Sequence, residues 1–336
     1  MTRLVVVGGG TETAAIEGIS AAGADPNLRR HTPAADLEIV ATGEPVDAPV
    51  VPVSPSGTPT PAVATRAVRD LLDLEFTAVN AGLPEPAGVA TREVHDAPGG
   101  DIREGAAVPD AAAVWDRGRA LGAELDAERL VIGETIPGGT TTALAVLTAL
   151  GERPTVSSSL PENPLERKRQ VVETALAAAG LSPGDAADDP VAAVRAVGDP
   201  VLAAIAGLVE GATRNETDVL LAGGTQLAAA TALARHRGLA APLTLATTAY
   251  VAADDSTDLQ GLAADLDLSV RVTDPDFERH CPDAMAGYLT GEAKEGVGMG
   301  GALALAADGP ASMATVGDRV ECAYERLLAA GPSHTP

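Results

Sequence analysis

Short apolar runs recur along the chain at Val5 to Val7, Leu37 to Ala41, Thr77 to Val79, Leu130 to Ile132, Val219 to Ala222 and Leu243 to Thr247. Runs this short, with no polar alternation, predict strands buried on both faces of a parallel sheet. Elsewhere the apolar positions fall at helical spacing, which predicts helices over 62–72, 111–121, 141–150, 165–179, 191–197, 200–212 and 227–236. Glycine and proline gather in 46–61 and 97–109, which read as loops, and 181–190 reads as an acidic, turn-rich connector. Strand then helix, repeated, predicts an α/β fold: a doubly wound, mostly parallel sheet with helices on both faces, plus a small helical part from the chain ends. One domain is expected over 1–330, with a core of about 62–275 and a tail at 331–336.

Charge narrows the partners. The formal net charge of −24 argues against nucleic acid, which demands a basic face, and against an anionic membrane surface. Only Lys168 and Lys294 are lysines among the 23 basic residues. An acid excess with lysine nearly absent reads as adaptation to concentrated salt, where a Debye length of about 3 Å screens a dense carboxylate surface. An ordinary acidic protein from a GC-rich genome is the other reading. Cys281 and Cys322 have no CxxC spacing and no His/Cys companions, so neither a metal site nor a disulfide framework is expected. The apolar stretches are too short to span a bilayer, and Met1-Thr2-Arg3 runs straight into a strand, so a soluble, cytoplasmic chain is expected. With six aromatic residues in all, a flat ligand ring would rest on aliphatic walls, peptide planes or arginine.

Three glycine turns follow predicted strands. The first, Gly133-Glu134-Thr135-Ile136-Pro137-Gly138-Gly139-Thr140-Thr141-Thr142, leads into a helix. Backbone N–H groups and the positive end of a helix dipole would there cradle a phosphate. The spacing mimics a P-loop, but Gly139 stands at the lysine position, which removes most support for nucleoside triphosphate hydrolysis. The second, Ala222-Gly223-Gly224-Thr225-Gln226, would bracket the same crevice beyond the strand ends. The third, Gly8-Gly9-Gly10-Thr11-Glu12-Thr13, matches a dinucleotide fingerprint poorly because Thr13 replaces the last glycine. Near the C-terminus, Gly291-Glu292-Ala293-Lys294-Glu295-Gly296-Val297-Gly298 is either a solvated loop or a site loop. In a chain that has discarded nearly every lysine, the two that remain mark places where a compact ammonium is needed for a phosphate or carboxylate.

These motifs, together with Val156-Ser157-Ser158-Ser159, Asn163-Pro164 and the opening Gly18 to Ala24, resemble the archaeal branch of the nicotinate-nucleotide:dimethylbenzimidazole phosphoribosyltransferase family over nearly the whole chain. The bacterial phosphate loop of that family is similar at Gly133, Glu134, Gly138, Thr140 and Thr141. Its catalytic-glutamate motif maps best onto Glu295-Gly296-Val297-Gly298, with Lys294 where a glycine would stand and Met299-Gly300 as an insertion. Lys168 resembles a lysine found near the substrate phosphate.

The resemblance implies transfer of 5-phosphoribose from nicotinate mononucleotide to 5,6-dimethylbenzimidazole or a similar base, giving the α-ribotide used in cobalamin assembly. Glu295 would be the general base, with Glu292 as its rival. Glu134, Gly138, Gly139, Thr140, Thr141, Lys168, Gly223, Gly224 and Lys294 would bind substrate. No metal and no cofactor are expected, because nicotinate departs from a pyridinium that is already cationic; a homodimer is implied. A non-catalytic nucleotide-binding regulator and a nicotinate mononucleotide hydrolase remain as alternatives.

Overall fold

The computed structural model describes residues 1–20, 28–54, 56–281 and 284–330. The motif residues Ala21 to Ala24 and the expected tail lie outside these. Seven strands make one sheet: β1 (Thr2–Gly8), β2 (Glu75–Ala81), β3 (Thr91–His95), β4 (Arg129–Thr135), β5 (Asp218–Ala222), β6 (Leu243–Thr248) and β7 (Leu268–Thr273), in the order β3-β2-β1-β4-β5-β6-β7. Every neighbouring pair is parallel. The expected doubly wound architecture is therefore the observed one.

The helices are α1 (Thr32–Thr42), α2 (Ala62–Leu72), α3 (Ala111–Glu124), α4 (Gly139–Leu150), α5 (Leu165–Ala179), α6 (Pro190–Val197), α7 (Pro200–Arg214) and α8 (Thr225–His236), followed by α9 (Ala249–Ala252), α10 (Leu259–Asp265), α11 (Phe277–His280), α12 (Ala286–Leu289), α13 (Met299–Asp308) and α14 (Met313–Ala330). Two cores cover the two sheet faces. One joins Val5, Val7 and Ile132 to α3, α4, α6, α7 and α8. The other joins Leu4, Val6 and Val131 to α1, α2, α13 and α14. The alternation Leu4/Val5/Val6/Val7 thus feeds both cores in turn, as the period of a strand requires. No helix among the described residues is long and apolar enough to cross a membrane.

One expected strand is corrected. Leu37 to Ala41 lies inside α1, whose residues from Thr32 to Val40 are all buried. A helix buried on all sides has no polar stripe, so its apolar run is indistinguishable by pattern from a buried strand. Two strands escaped the pattern. Both β3 and β7 are sheet edges whose residues alternate with or face solvent, so neither carries a continuous apolar run.

The sheet order reverses between β1 and β4, the place where open α/β sheets open a crevice beyond their strand ends. That crevice holds the candidate site.

Candidate functional site

Strand β4 delivers Gly133, Glu134 and Thr135 to the crevice, and the turn through Gly138 starts α4. Gly133 has a packing reason. A Cβ there would sit 2.5 Å from the Cα of Gly298, so only glycine lets the 295–298 segment cross β4. The Val297 N–H donates to the Glu134 carbonyl at 2.8 Å, and the crossing brings Glu295 beside Glu134. Ala293, Lys294 and Val297 hold left-handed φ values of 59°, 38° and 54°. For a β-branched residue this costs about 1–3 kcal/mol and persists only where the surroundings impose it. Thr65 Oγ1 donates to the Val297 carbonyl at 2.9 Å, and Thr248 Oγ1 donates to the Lys294 carbonyl at 2.6 Å.

The resulting cleft encloses about 1010 Å³ including its open mouth. Its two ends differ in character. At one end the N-termini of α4 and α8 converge, with Gly138, Gly139, Thr140, Gly224 and Ser157 to Ser159 on the wall. A Cβ on Gly139 would lie 2.3 Å from the Gln226 amide nitrogen and 2.6 Å from Ile136 Cγ2, so a larger residue there would have to shift those side chains. At the other end stand Asp36 and Glu295 near the aliphatic surfaces of Ile19, Pro59 and Pro61, while Glu134, bonded to Gln226 in the first turn of α8, adjoins the helix N-termini.

Both lysines clasp the serine segment. Lys168 is wholly buried, and its ammonium donates to the Ser157 carbonyl at 2.9 Å and to Asn163 Oδ1 at 3.2 Å. Burial and then the charge of Lys294 push Lys168 down to about 7, against the pull of Asp254. Lys294 lines the cleft, pairs with Asp254 at 2.7 Å and donates to the Leu160 carbonyl at 3.4 Å. The Ala293 N–H reaches the Ser159 carbonyl at 3.0 Å.

Glu295 and Glu292 are in different states. Glu295 Oε1 accepts the Gly300 N–H at 2.8 Å and the Gly296 N–H at 3.1 Å, whereas Oε2 is buried with no hydrogen-bond partner among the described residues. Burial lifts Glu295 to about 7 against the backbone groups of Gly300, Gly296 and Thr248. Glu292 Oε2 instead accepts the hydroxyls of Ser54, Ser56 and Thr58. Burial opposes ionisation there, but the three hydroxyls win and hold Glu292 below the ordinary glutamate range. Glu292 is a fastener between two loops; Glu295 has an oxygen to offer.

Of the expected site residues, Glu134, Gly138, Gly139, Thr140, Gly224, Lys294 and Glu295 line the cleft together. Thr141, Lys168 and Gly223 stand behind its wall. Pattern reading missed Asp36, which lines the cleft, and the buried Asp199, which does not. Asp36 accepts Thr60 Oγ1 and Thr135 Oγ1, both at 2.6 Å, and burial lifts it to about 6. Asp199 caps α7 through the Leu202 N–H at 2.9 Å and takes the Thr142 hydroxyl; burial lifts it also to about 6. An acid inside the apolar run Ala34-Ala35-Asp36-Leu37 was the available signal. Glu134 is raised furthest, to about 8, by burial and then by Asp199, Glu295 and Asp36, against a bond from Gln226.

These shifts dictate how stability varies with pH. Asp36, Asp199, Glu134 and Glu295 all bind protons more tightly folded than unfolded, so the stability they contribute is complete at low pH and is lost as pH rises through their folded values. Lys168 is protonated in both states below about 7 and does not oppose this. In molar salt, where surface repulsion is screened, the melting temperature should therefore fall as pH is raised from about 5 to about 7. A melting temperature that climbs over that range would contradict the burial of these carboxylates.

A family model described as Phosphoribosyltransferase (DBI_PRT) matches residues 62–274. A UPF0284 protein of Halobacterium salinarum is 58% identical over 327 residues, covering 97% of this chain and 98% of its own. A UPF0284 protein of Methanosarcina mazei is 45% identical over 301 residues, covering 88% and 86%. Among solved structures, the nicotinate-nucleotide-dimethylbenzimidazole phosphoribosyltransferase of Thermus thermophilus superposes with a TM-score of 0.60 at 21% identity, over 95% of this chain and 83% of that one, a likeness of fold. The resemblance carried by the glycine–threonine and serine motifs is borne out, and the chain belongs to the phosphoribosyltransferase family DBI_PRT, which makes it a pentosyltransferase acting on small molecules.

Proposed function

We propose that the chain transfers 5-phosphoribose from nicotinate mononucleotide to 5,6-dimethylbenzimidazole or a similar base, for assembly of the cobalamin nucleotide loop. The observation that carries this reading is the state of Glu295: a cleft carboxylate with one buried oxygen free of any bond among the described residues and a proton affinity matched to neutral pH. A general base works best with its pKa near the working pH.

The phosphate sits at the N-termini of α4 and α8, against Gly138, Gly139, Thr140, Gly224 and the serine segment. Lys168 acts there from behind the wall and Lys294 from its lining, adding positive potential and holding Ser157 and Leu160 in place. Local capture is necessary because a chain of charge −24 repels a dianion at long range. The ring nitrogen of the base attacks the anomeric carbon, the bond to nicotinate breaks, and Glu295 receives the proton of the attacking nitrogen. Positive charge gathering on the ribose is stabilised by Asp36, which at about 6 is ionised at neutral pH, whereas Glu134 at about 8 carries its proton there. Thr141 and Gly223 shape the two turns without touching substrate. The reading also takes in a homodimer, a cytoplasmic setting and salt adaptation, the last supported by the near absence of lysine.

The test is to incubate purified protein in molar salt with nicotinate mononucleotide and a panel of benzimidazoles, adenine and phenols, following nicotinate release. Release that depends on the base is expected. Release at one rate with or without a base would make the protein a hydrolase, and binding without release would make it a regulator.

A further inference from the structure

The Asp36 carboxylate accepts two threonine hydroxyls at once, Thr60 Oγ1 on Oδ1 and Thr135 Oγ1 on Oδ2, each at 2.6 Å. All three residues line the cleft, and Asp36 is 2% exposed. A hydroxyl has one proton and two lone pairs. With that proton committed to Asp36, each threonine oxygen can only accept. Thr60 Oγ1 already accepts the Ala62 N–H at 3.2 Å, whereas Thr135 Oγ1 makes no second bond among the described residues. The cleft therefore presents at Thr135 a hydrogen-bond acceptor that cannot turn into a donor.

The chain fixes what lies above it. Thr135 is three residues before Gly138, in the turn that opens α4, and next to Glu134, whose carbonyl is bonded to Val297, two residues beyond Glu295. A phosphate at α4 and a reacting carbon beside Glu295 must bracket Thr135. Between a phosphate and an anomeric carbon lies the sugar, and what a ribose offers is hydroxyl donors.

We propose that Asp36 is a positioning residue that sets Thr135, with Thr60, as an obligate acceptor for a ribose hydroxyl, so that the cleft selects ribonucleotides over their deoxy forms. The proposal rests on the phosphoribosyl reading of the site for the placement of the sugar. Asp36 belongs to no glycine motif, and its one mark in the sequence is that it is an acid within an apolar run.

A site built to bond a hydroxyl rejects the analogue that lacks it, because its own polar atom is left buried and unpaired. Calorimetry in molar salt with nicotinate mononucleotide and its 2′-deoxy and 3′-deoxy forms reads this without any turnover. The wild type should bind the ribonucleotide about tenfold or more tightly than at least one deoxy form. Thr135→Val removes the acceptor while leaving the Asp36–Thr60 bond, and Asp36→Ala releases the Thr135 hydroxyl from the carboxylate that fixes its rotor. Thr135→Val should bind the ribonucleotide and that deoxy form within about twofold of each other, and Asp36→Ala should narrow the wild-type gap between them, a loss of selectivity that general loosening of the site would not produce. Equal wild-type affinity for all three nucleotides would overturn the proposal, as would full selectivity retained in Thr135→Val. Selectivity that is present in the wild type and lost in the variants, with no base ever ribosylated, would sustain this role and sink the transfer reading alone.

Discussion

Glu295→Gln should lower turnover with a base acceptor by about 10²–10⁴-fold while nucleotide affinity changes little. Glutamine keeps the shape, and its carbonyl can still accept the Gly296 and Gly300 N–H groups that now hold Oε1. What vanishes is the ability to take a proton. Glu292→Gln should be far milder in the chemical step, because that carboxylate is occupied by Ser54, Ser56 and Thr58; its cost should appear as a lower melting temperature. In the wild type, kcat/KM should fall as pH drops through about 7, where Glu295 takes on the proton that silences it, and that limb should disappear in Glu295→Gln. Steady-state kinetics over pH 5 to about 8 in molar salt gives all three results. Near-wild-type turnover in Glu295→Gln would move the base elsewhere; the reverse ranking of the two variants would assign it to Glu292.

The second large effect concerns stability. Helices α3 and α7 touch through two glycines each, Gly118 and Gly122 against Gly207 and Gly211. A Cβ on Gly211 would lie 2.0 Å from the Arg119 carbonyl oxygen, and one on Gly122 would lie 2.1 Å from that of Leu208. Those obstacles are backbone atoms and cannot rotate away. In an exposed helix Gly→Ala stabilises by up to about 1 kcal/mol. Here Gly211→Ala should have the opposite sign and destabilise by about 2 kcal/mol or more, because one helix must be displaced from the other. Displacement also threatens the bond from Trp115 Nε1 to Glu210 Oε2, 2.8 Å long beneath Arg237. Thermal unfolding in molar salt is the check, and a melting temperature equal to or above that of the wild type would refute the close contact.

The central strands and the glycine turns were legible because burial on both faces leaves an unbroken apolar run and because a phosphate turn leaves glycine and threonine at fixed spacing. What defeated the pattern was either too exposed or too buried. The edge strands β3 and β7 have no continuous run, and α1 has no polar stripe to give it a helical period. Site residues followed the same divide. Of those expected on glycine turns, Gly138, Gly139, Thr140 and Gly224 line the cleft, and Glu295 was preferred over Glu292 by motif alone, without sight of the three hydroxyls that occupy Glu292. Asp36 and Asp199 stayed hidden, since each acquires its meaning only from threonines 24 or more positions away in sequence. Lys168 was singled out by scarcity, yet no spacing rule reveals that its ammonium holds the Ser157 carbonyl behind the cleft wall.

The measurement closest to the central claim is the ratio of ribotide formed to nicotinate released, in molar salt, with nicotinate mononucleotide and saturating 5,6-dimethylbenzimidazole. Transfer through Glu295 predicts one ribotide for each nicotinate and almost no nicotinate when the base is omitted. Nicotinate released without a matching ribotide, at a rate indifferent to the base, would contradict it.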